Sequence, residues 1–316
     1  ILDFYKQYVI IVLNKIIRRI RLEKIRYAGA QLPCTEHLDR NIKEIKTAIN
    51  WAAENKVDYL LTPEGSLSGY FPGFETKDGR TIQDLVDAEK QVTNHAVKMG
   101  VGLCLGTMWC ESDDRFPEGY RRENQIRFYS KDGSFLGSTN KHYIIPEYDG
   151  TAVSPEITKI LMPEHVDAAG LLCNDFWGGS LEGGSLPIFC ADKLAVNLIF
   201  HATNGYRGEL PIYDEITNAW HEGNLRMISY FIGIPIITVD NCYKMNGKPH
   251  DGPTSSTSGI LMNGVWQVKA PRTGTQYFYY DFDLLKLRLK TLARDPDFKD
   301  ILDRRDEILT KFKKRS

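Results

Sequence analysis

A layered α/β protein with a mixed β-sheet is the fold class this sequence predicts, and three observations predict it. Apolar strand-like runs alternate with helical stretches from Ile25 onward, several strand pairs are joined by hairpin-length turns, and no internal repeat or low-complexity linker divides the chain. Turns that short cannot hold a helical crossover, which counts against an all-parallel doubly wound sheet. One domain is expected.

Each element has its own signal. IRYAGAQLP opens the domain as a buried strand, and the stretch from Leu38 to Asn55 carries Ile42, Ile45, Ala48, Ile49 and Ala52 at the spacing of one helix face. VDYLLTPEG reads as the next strand, Thr81 to Met99 as the next helix, and VGLCLGTMWC as the strand after it. ENQIRFYS and SFLGSTNK flank Lys131-Asp132-Gly133, a hairpin turn. Further strands are expected at AAGLLCNDF, LAVNLIFHATN, PIITVDNC, SGILMN with VWQVKA, and QYFYYDFD, with a helix from about Ile212 to Phe231. Leu284 to Ser316 is rich in Lys and Arg and reads as a charged helical tail. The expected division is an N-terminal extension over 1–24, a main domain over 25–284 and a tail over 285–316.

The chain has 316 residues, 42% of them hydrophobic, enough for a sizeable core. Forty basic residues against forty-one acidic ones leave a net charge of -1, so no global field draws the protein to nucleic acid or to an anionic membrane. A small, roughly neutral partner is the simpler expectation. The cysteines at 34, 104, 110, 173, 190 and 242 make no Cys-x-x-Cys pair, which favours free thiols in the cytosol over a disulfide-stapled secreted fold. Seven scattered histidines lack metal-ligand spacing, so neither a metal nor a cofactor is expected.

Residues 1–25 mix Ile, Leu and Val with Lys6, Lys15, Arg18, Arg19, Arg21 and Lys24. The longest apolar run, Tyr8 to Leu13, falls far short of the ~20 residues that span a bilayer. Ala28-Gly29-Ala30 looks like a signal cleavage site, but arginines separate it from the apolar run, which argues against secretion. Two readings stay open: a basic amphipathic helix that touches a membrane surface or a partner, and an added helix packed on the domain. A first residue of Ile is expected of a fragment or of an unusual start.

Three positions break the structural pattern. Glu64 follows Pro63 at a strand end and faces the apolar stretch LSGYFPGF, where desolvation would raise its pKa and suit it to carry a proton. Cys173 ends AAGLLC and opens a polar, aromatic, glycine-bearing loop, a place for a nucleophile with backbone N–H groups beside it. Cys242, at the end of VDNC, is its competitor. Lys141 closes SFLGSTNK against an apolar region, where an ammonium can hold a thiolate and stabilise an oxyanion. Each also has a plain reading: a turn glutamate facing water, a core thiol, a surface lysine. Only together do they discriminate.

The ordered set PEGSLSGY, NK-HYIIPE, LLCNDFWG, IFHATNG and HEGNLRMISYFIGIPIITVDN resembles the carbon-nitrogen hydrolase (nitrilase) superfamily over about Arg26 to Asp283. The resemblance implies a four-layer αββα sandwich with two mixed β-sheets and a catalytic triad of Glu64, Lys141 and Cys173, without a cofactor. It implies Glu147 as a supporting carboxylate, with Asp149 its competitor, and association into a homodimer or larger assembly through helices beside the site. The substrate implied is a small amide, with a carbamoyl compound or a nitrile as alternatives, and the chemistry assigns the Asn174 N–H to the oxyanion. The chain departs from the common pattern at Asn140, where Arg is usual, and at Phe176-Trp177-Gly178-Gly179, where many members carry a Pro-Glu pair. Tyr70, Trp177, His201 and Asn204 are candidate pocket residues, His201 being equally readable as a structural histidine. The serines of Thr254–Gly259 have no histidine base at motif spacing, and Gly178-Gly179 with Gly183-Gly184 read as a lid rather than a phosphate cradle. A catalytically silent interaction module is the rival from another class; it would need none of the triad.

Overall fold

Twelve strands account for the sheet content of the computed structural model, which describes residues 24–117, 119–149, 157–177, 185–205, 211–242 and 253–289 with isolated positions 304 and 311. They are β1 (Lys24–Gln31), β2 (Tyr59–Leu61), β3 (Gly102–Ser112), β4 (Tyr120–Tyr129), β5 (Phe135–Asn140), β6 (Ile160–Met162), β7 (Val166–Leu172), β8 (Leu198–Ala202), β9 (Ile236–Val239), β10 (Gly259–Met262), β11 (Val265–Lys269) and β12 (Gln276–Asp283). The helices are α1 (Leu38–Glu54), α2 (Ile82–Met99), α3 (Pro146–Asp149), α4 (Asn174–Trp177), α5 (Leu186–Asp192), α6 (Pro211–Ile232) and α7 (Leu284–Leu289). The basic N-terminal segment, the glycine pairs 178–179 and 183–184, and nearly all of the charged tail lie outside the described residues.

The strands form two six-stranded sheets, ordered β12-β1-β2-β3-β4-β5 and β11-β10-β9-β8-β7-β6. Each has three parallel strands at its centre, β1-β2-β3 in one and β7-β8-β9 in the other, with antiparallel neighbours outside them. Both sheets are mixed, as the hairpin-length turns predict.

Side-chain alternation shows why the sheets stack. In β8, Leu198, Phe200 and Ala202 join Tyr27, Tyr59, Phe128 and Val239 in a core contributed by both sheets. The intervening Ile199 joins Ala169, Leu171, Leu225, Ile228 and Ile232 in a core shared with α5 and α6. On the far side, Ala28, Leu60, Leu103 and Leu105 pack against Ile45, Ile49 and Val92 from α1 and α2. With period-two strands buried on both faces, the layers run helix, sheet, sheet, helix. Gly170 permits the close approach of the sheets, since a Cβ there would sit 2.1 Å from Thr139 Oγ1 of the facing sheet.

Helix boundaries follow local chemistry. α2 starts at a capping box between Thr81 and Asp84 and stops at Gly100, whose φ of 70° suits glycine. Four elements lack a sequence signal: β6 is only three residues long, α3 and α4 are single turns, and α5 is a mostly apolar run, LPIFCAD. The strand expected across AAGLLCNDF stops at Leu172, and Asn174–Trp177 is helical. The strand expected across VDYLLTPEG shrinks to Tyr59–Leu61, because the Thr62 hydroxyl accepts from Gly106 N and the chain then turns through Pro63. That turn crosses Gly106 so closely that a Cβ would stand 2.0 Å from the Pro63 carbonyl oxygen. Gly106→Ala is therefore expected to cost about 1–3 kcal/mol through overpacking. The check is the thermal unfolding midpoint, which should fall; a variant that melts with the parent would contradict the close approach.

Candidate active site

The chain ends of the central parallel strands converge on one place, as the geometry of α/β sheets favours. Glu64 lies three residues beyond β2, Cys173 directly after β7, Thr203 and Asn204 directly after β8, and Lys141 directly after β5.

Glu64 is fully buried, and both of its carboxylate oxygens are hydrogen-bonded. Oε1 accepts from Lys141 Nζ at 2.9 Å and from Asn124 Nδ2 at 2.6 Å, while Oε2 accepts from the Asn204 backbone N–H at 2.8 Å. Burial raises the carboxyl pKa above its ordinary value, with Lys141 and Asn124 opposing and Asp149 adding to the rise.

Lys141 is held by both ends. Its N–H donates to the Asn124 carbonyl at 2.9 Å, and its ammonium lies 2.9 Å from Glu64 Oε1, 2.9 Å from Asp149 Oδ2 and 3.1 Å from the Tyr70 hydroxyl. An ammonium has three protons, so these three acceptors saturate it. Burial works against its charge, but Glu64, Cys173, Tyr70 and Asp149 outweigh burial and hold the pKa well above that of an ordinary lysine. Asp149, in α3, also accepts from Asn124 Nδ2 at 2.7 Å and from Ile145 N at 2.7 Å. Asp149, one of the two carboxylates the sequence offers beside the lysine, is in contact with it, and the Glu147 side chain lies outside the described residues.

Cys173 occupies the turn between β7 and α4 with φ of 43°, a left-handed conformation uncommon for a residue with a Cβ. Its N–H donates to the Ala202 carbonyl at 2.9 Å and its Sγ lies 3.7 Å from Asn174 Oδ1. Burial pushes the thiol up to about 12, the Glu64 charge adds to this, and Lys141 and a Thr203 hydrogen bond pull the other way. The thiol thus keeps its proton at neutral pH, and a base must take it before sulfur can attack.

Asp175 joins the two turns. Its Oδ1 accepts from the backbone N–H groups of His142 and Tyr143, both at 2.8 Å, and its Oδ2 from Leu172 N at 3.2 Å. The segment after Lys141 is thereby fastened to the segment around Cys173. Sequence reading passed over Asp175, although an acid two residues beyond a candidate nucleophile was a visible signal. Asn124 was passed over too, since nothing in ENQIRFYS marks one polar residue above its neighbours.

The candidate pocket residues divide. Tyr70 and Asn204 touch the charged cluster, Asn204 also giving its Nδ2 to the Glu64 carbonyl at 3.2 Å, and the Tyr70 ring stacks on Tyr148 at 5.4 Å. Trp177 and His201 instead pack in the helix layer: Trp177 stacks on His221 at 4.5 Å and meets the His201 ring edge-on at 4.9 Å, and His201 Nδ1 pairs with Thr238 Oγ1 at 2.9 Å. Burial drives His201 down to about 3 against the nearby Cys173 carbonyl, so its ring is neutral. Cys242 is buried with its N–H on the Leu32 carbonyl at 3.0 Å. The serines of the 254–258 run are bound into the scaffold, Ser255 Oγ and Ser256 N both donating to Asp240 Oδ2 at 2.9 Å. Among the described residues no group of three or more metal-ligating side chains occurs, and no helix is long and apolar enough to cross a membrane.

Solved structures share this architecture. The chain superimposes on an amidase from Nesterenkonia sp. with a TM-score of 0.63 at 18% identity, covering 82% of this chain and 90% of that one. A carbon-nitrogen hydrolase from Helicobacter pylori G27 gives a TM-score of 0.68 at 16% identity, covering 84% and 90%. A mutant of the amidase from Nesterenkonia sp. AN1, with a TM-score of 0.63 at 17% identity over 84% and 92%, shows covalent addition of the acetamide moiety of fluoroacetamide at its active site cysteine. At such identities the likeness establishes the fold alone. Comparison with curated protein sequences gives no match. The carbon-nitrogen hydrolase family model, however, matches residues 26–252, well over half of the sequence. This chain belongs to the carbon-nitrogen hydrolase family and is a carbon-nitrogen hydrolase.

Proposed function

We propose that this enzyme hydrolyses a non-peptide carbon-nitrogen bond in a small amide-like substrate through a thioester on Cys173, with Glu64 as proton carrier and Lys141 as electrophilic partner. The observation that carries the reading is a buried thiol beside a buried carboxylate and ammonium that touch each other at 2.9 Å. Buried charges are costly to a fold and cluster at functional sites, and this ion pair lies beside a thiol.

In this reading Glu64 accepts the thiol proton at Oε2, the oxygen with one donor rather than two. Sulfur attacks the carbonyl carbon and the carbonyl π pair moves onto oxygen. The Asn174 N–H and Lys141 stabilise that oxyanion. Lys141 has no free proton for it, so one contact must be exchanged, and the neutral phenol of Tyr70, the longest of the three at 3.1 Å, is the contact given up. The oxyanion collapses, the carbon-nitrogen bond breaks, and Glu64 protonates the departing nitrogen, which leaves as ammonia or an amine. Glu64 then takes a proton from water, hydroxide oxygen attacks the thioester, and the carbon-sulfur bond breaks to release the acid, with the proton returning to sulfur. Asp149 holds Lys141 opposite Glu64, the supporting place for which Glu147 is the alternative.

The amide reading is favoured by the amidase fold relatives, and a cytosolic setting fits six free cysteines. Self-association through α6 is part of the proposal. Ile216, Trp220, Met227 and Tyr230 are 58%, 46%, 47% and 56% exposed, and their spacing aligns them in one stripe along the helix. The catalytic unit is taken as residues 25–284, between the extension and the tail.

Two outcomes are expected. Ammonia release from a panel of small amides, carbamoyl amino acids and nitriles should fall more than about a thousandfold in Cys173→Ala, and about 100- to 10,000-fold in Glu64→Gln. Activity in Cys173→Ala equal to that of the parent would remove the thioester pathway, and the products from the panel separate amidase, carbamoylase and nitrilase. Independently, Met227→Glu with Tyr230→Glu should lower the molar mass measured by light scattering to that of one chain; an unchanged mass would place the interface elsewhere.

A further inference from the structure

Lys141 carries two buried carboxylates where one would balance its charge. Glu64 and Asp149 each sit 2.9 Å from its Nζ, and both are 0% exposed. Like charges this close favour uptake of a proton that neutralises one of them. A proton resting on Glu64 would leave Cys173 without a base. Among the described residues, one group besides the lysine touches both carboxylates: Asn124, on β4, whose Nδ2 lies 2.6 Å from Glu64 Oε1 and 2.7 Å from Asp149 Oδ1. An amide nitrogen has two protons, so one goes to each carboxylate. The same residue accepts the Lys141 N–H on its backbone carbonyl at 2.9 Å, which ties all three charged groups to one point of the strand.

We propose that Asn124 is a positioning residue that divides its two N–H groups between Glu64 and Asp149, and so keeps Glu64 free to accept a proton beside a second carboxylate. This rests on the reading of Glu64 as the proton carrier. Asn124 touches no reacting atom and acts through Glu64. The charged and titratable groups facing Glu64 among the described residues are Lys141, Asp149, Tyr70, Cys173 and Cys34, whose Sγ lies 3.6 Å from the Glu64 carbonyl, and Asn124 works with Lys141 against burial and Asp149. The sign follows: without the amide donors the Glu64 carboxyl binds its proton more tightly, so the acid limb of any Glu64-dependent process moves to higher pH.

The test needs no knowledge of the substrate. The rate of Cys173 alkylation by iodoacetamide is followed by mass spectrometry across the acid and neutral range, in the full chain, with Cys173→Ala as the blank. Asn124→Leu, close in volume and without donors, should shift the acid limb upward by about one pH unit. Adding Asp149→Asn to that variant removes the second negative charge and should lower the limb by more than Asp149→Asn lowers it in the parent, a coupling that a purely space-filling role for Asn124 would not produce. Should Asn124→Leu fail to fold, Asn124→Ser, with a single remaining donor, should show a smaller upward shift. An Asn124→Leu limb that coincides with the parent, or one that Asp149→Asn lowers no more than it lowers the parent's, overturns the inference. A Glu64→Gln variant whose profile coincides with that of the parent removes Glu64 from the proton path and overturns the reading beneath it, so the two failures are told apart.

Discussion

The contact on which the rest of this structure turns is the buried bridge from Lys141 to Glu64 and Asp149. An ammonium and two carboxylates withdrawn from water are strongly unfavourable unless each is paired and hydrogen-bonded, and breaking one partner away leaves the others stranded. The fold meets that condition by convergence. Glu64 arrives from the end of β2, Lys141 from the end of β5, Asp149 from α3, and the donors Asn124 and Asn204 from β4 and from the end of β8. Asp175 then clips the lysine segment to the Cys173 turn through three backbone N–H groups. No single element contains the site, and both sheets are needed to complete it.

How much of this could be read from the sequence depended on whether a residue's role is set locally. The two helices α1 and α2 were legible to within a residue or so, because apolar spacing and, for α2, a capping box fix them without help from the rest of the chain. β6 and α5 were not, since three residues carry no period and an apolar heptapeptide reads equally as strand or helix. β4 shows a subtler limit. Its polar Glu123, Gln125 and Arg127 resemble a solvated face, yet all three are buried and linked, Gln125 Nε2 donating to Glu123 at 2.6 Å and Arg127 Nη1 to Gln125 at 2.7 Å. Alternation reveals which residues share a face and not whether that face is wet.

The candidate site was legible in the same uneven way. Glu64, Lys141 and Cys173 stand at strand ends, where a sequence departs visibly from its own pattern, and their order carries the family resemblance. Asn124 lies within a strand and gains its role only from partners 60 and 25 residues away. The same holds for Asp149, whose contact with the lysine a sequence cannot orient. His201 illustrates the converse: it sits one residue before Ala202 in β8, and that single step of the pleat turns its ring into the helix layer under Trp177 rather than toward the lysine.

Gly170 has a bearing on the site beyond the spacing of the layers. It lies in the strand that leads to Cys173, and its missing side chain sets how near that strand comes to Thr139, two residues before Lys141. Sheet thickness and the reach between a thiol and its partners are therefore one mechanical quantity. The family of sequences that can hold this chemistry is narrowed by tolerances in the sandwich interior as much as by the reacting groups, and drift at a wholly apolar position can detune the enzyme without touching a charged atom.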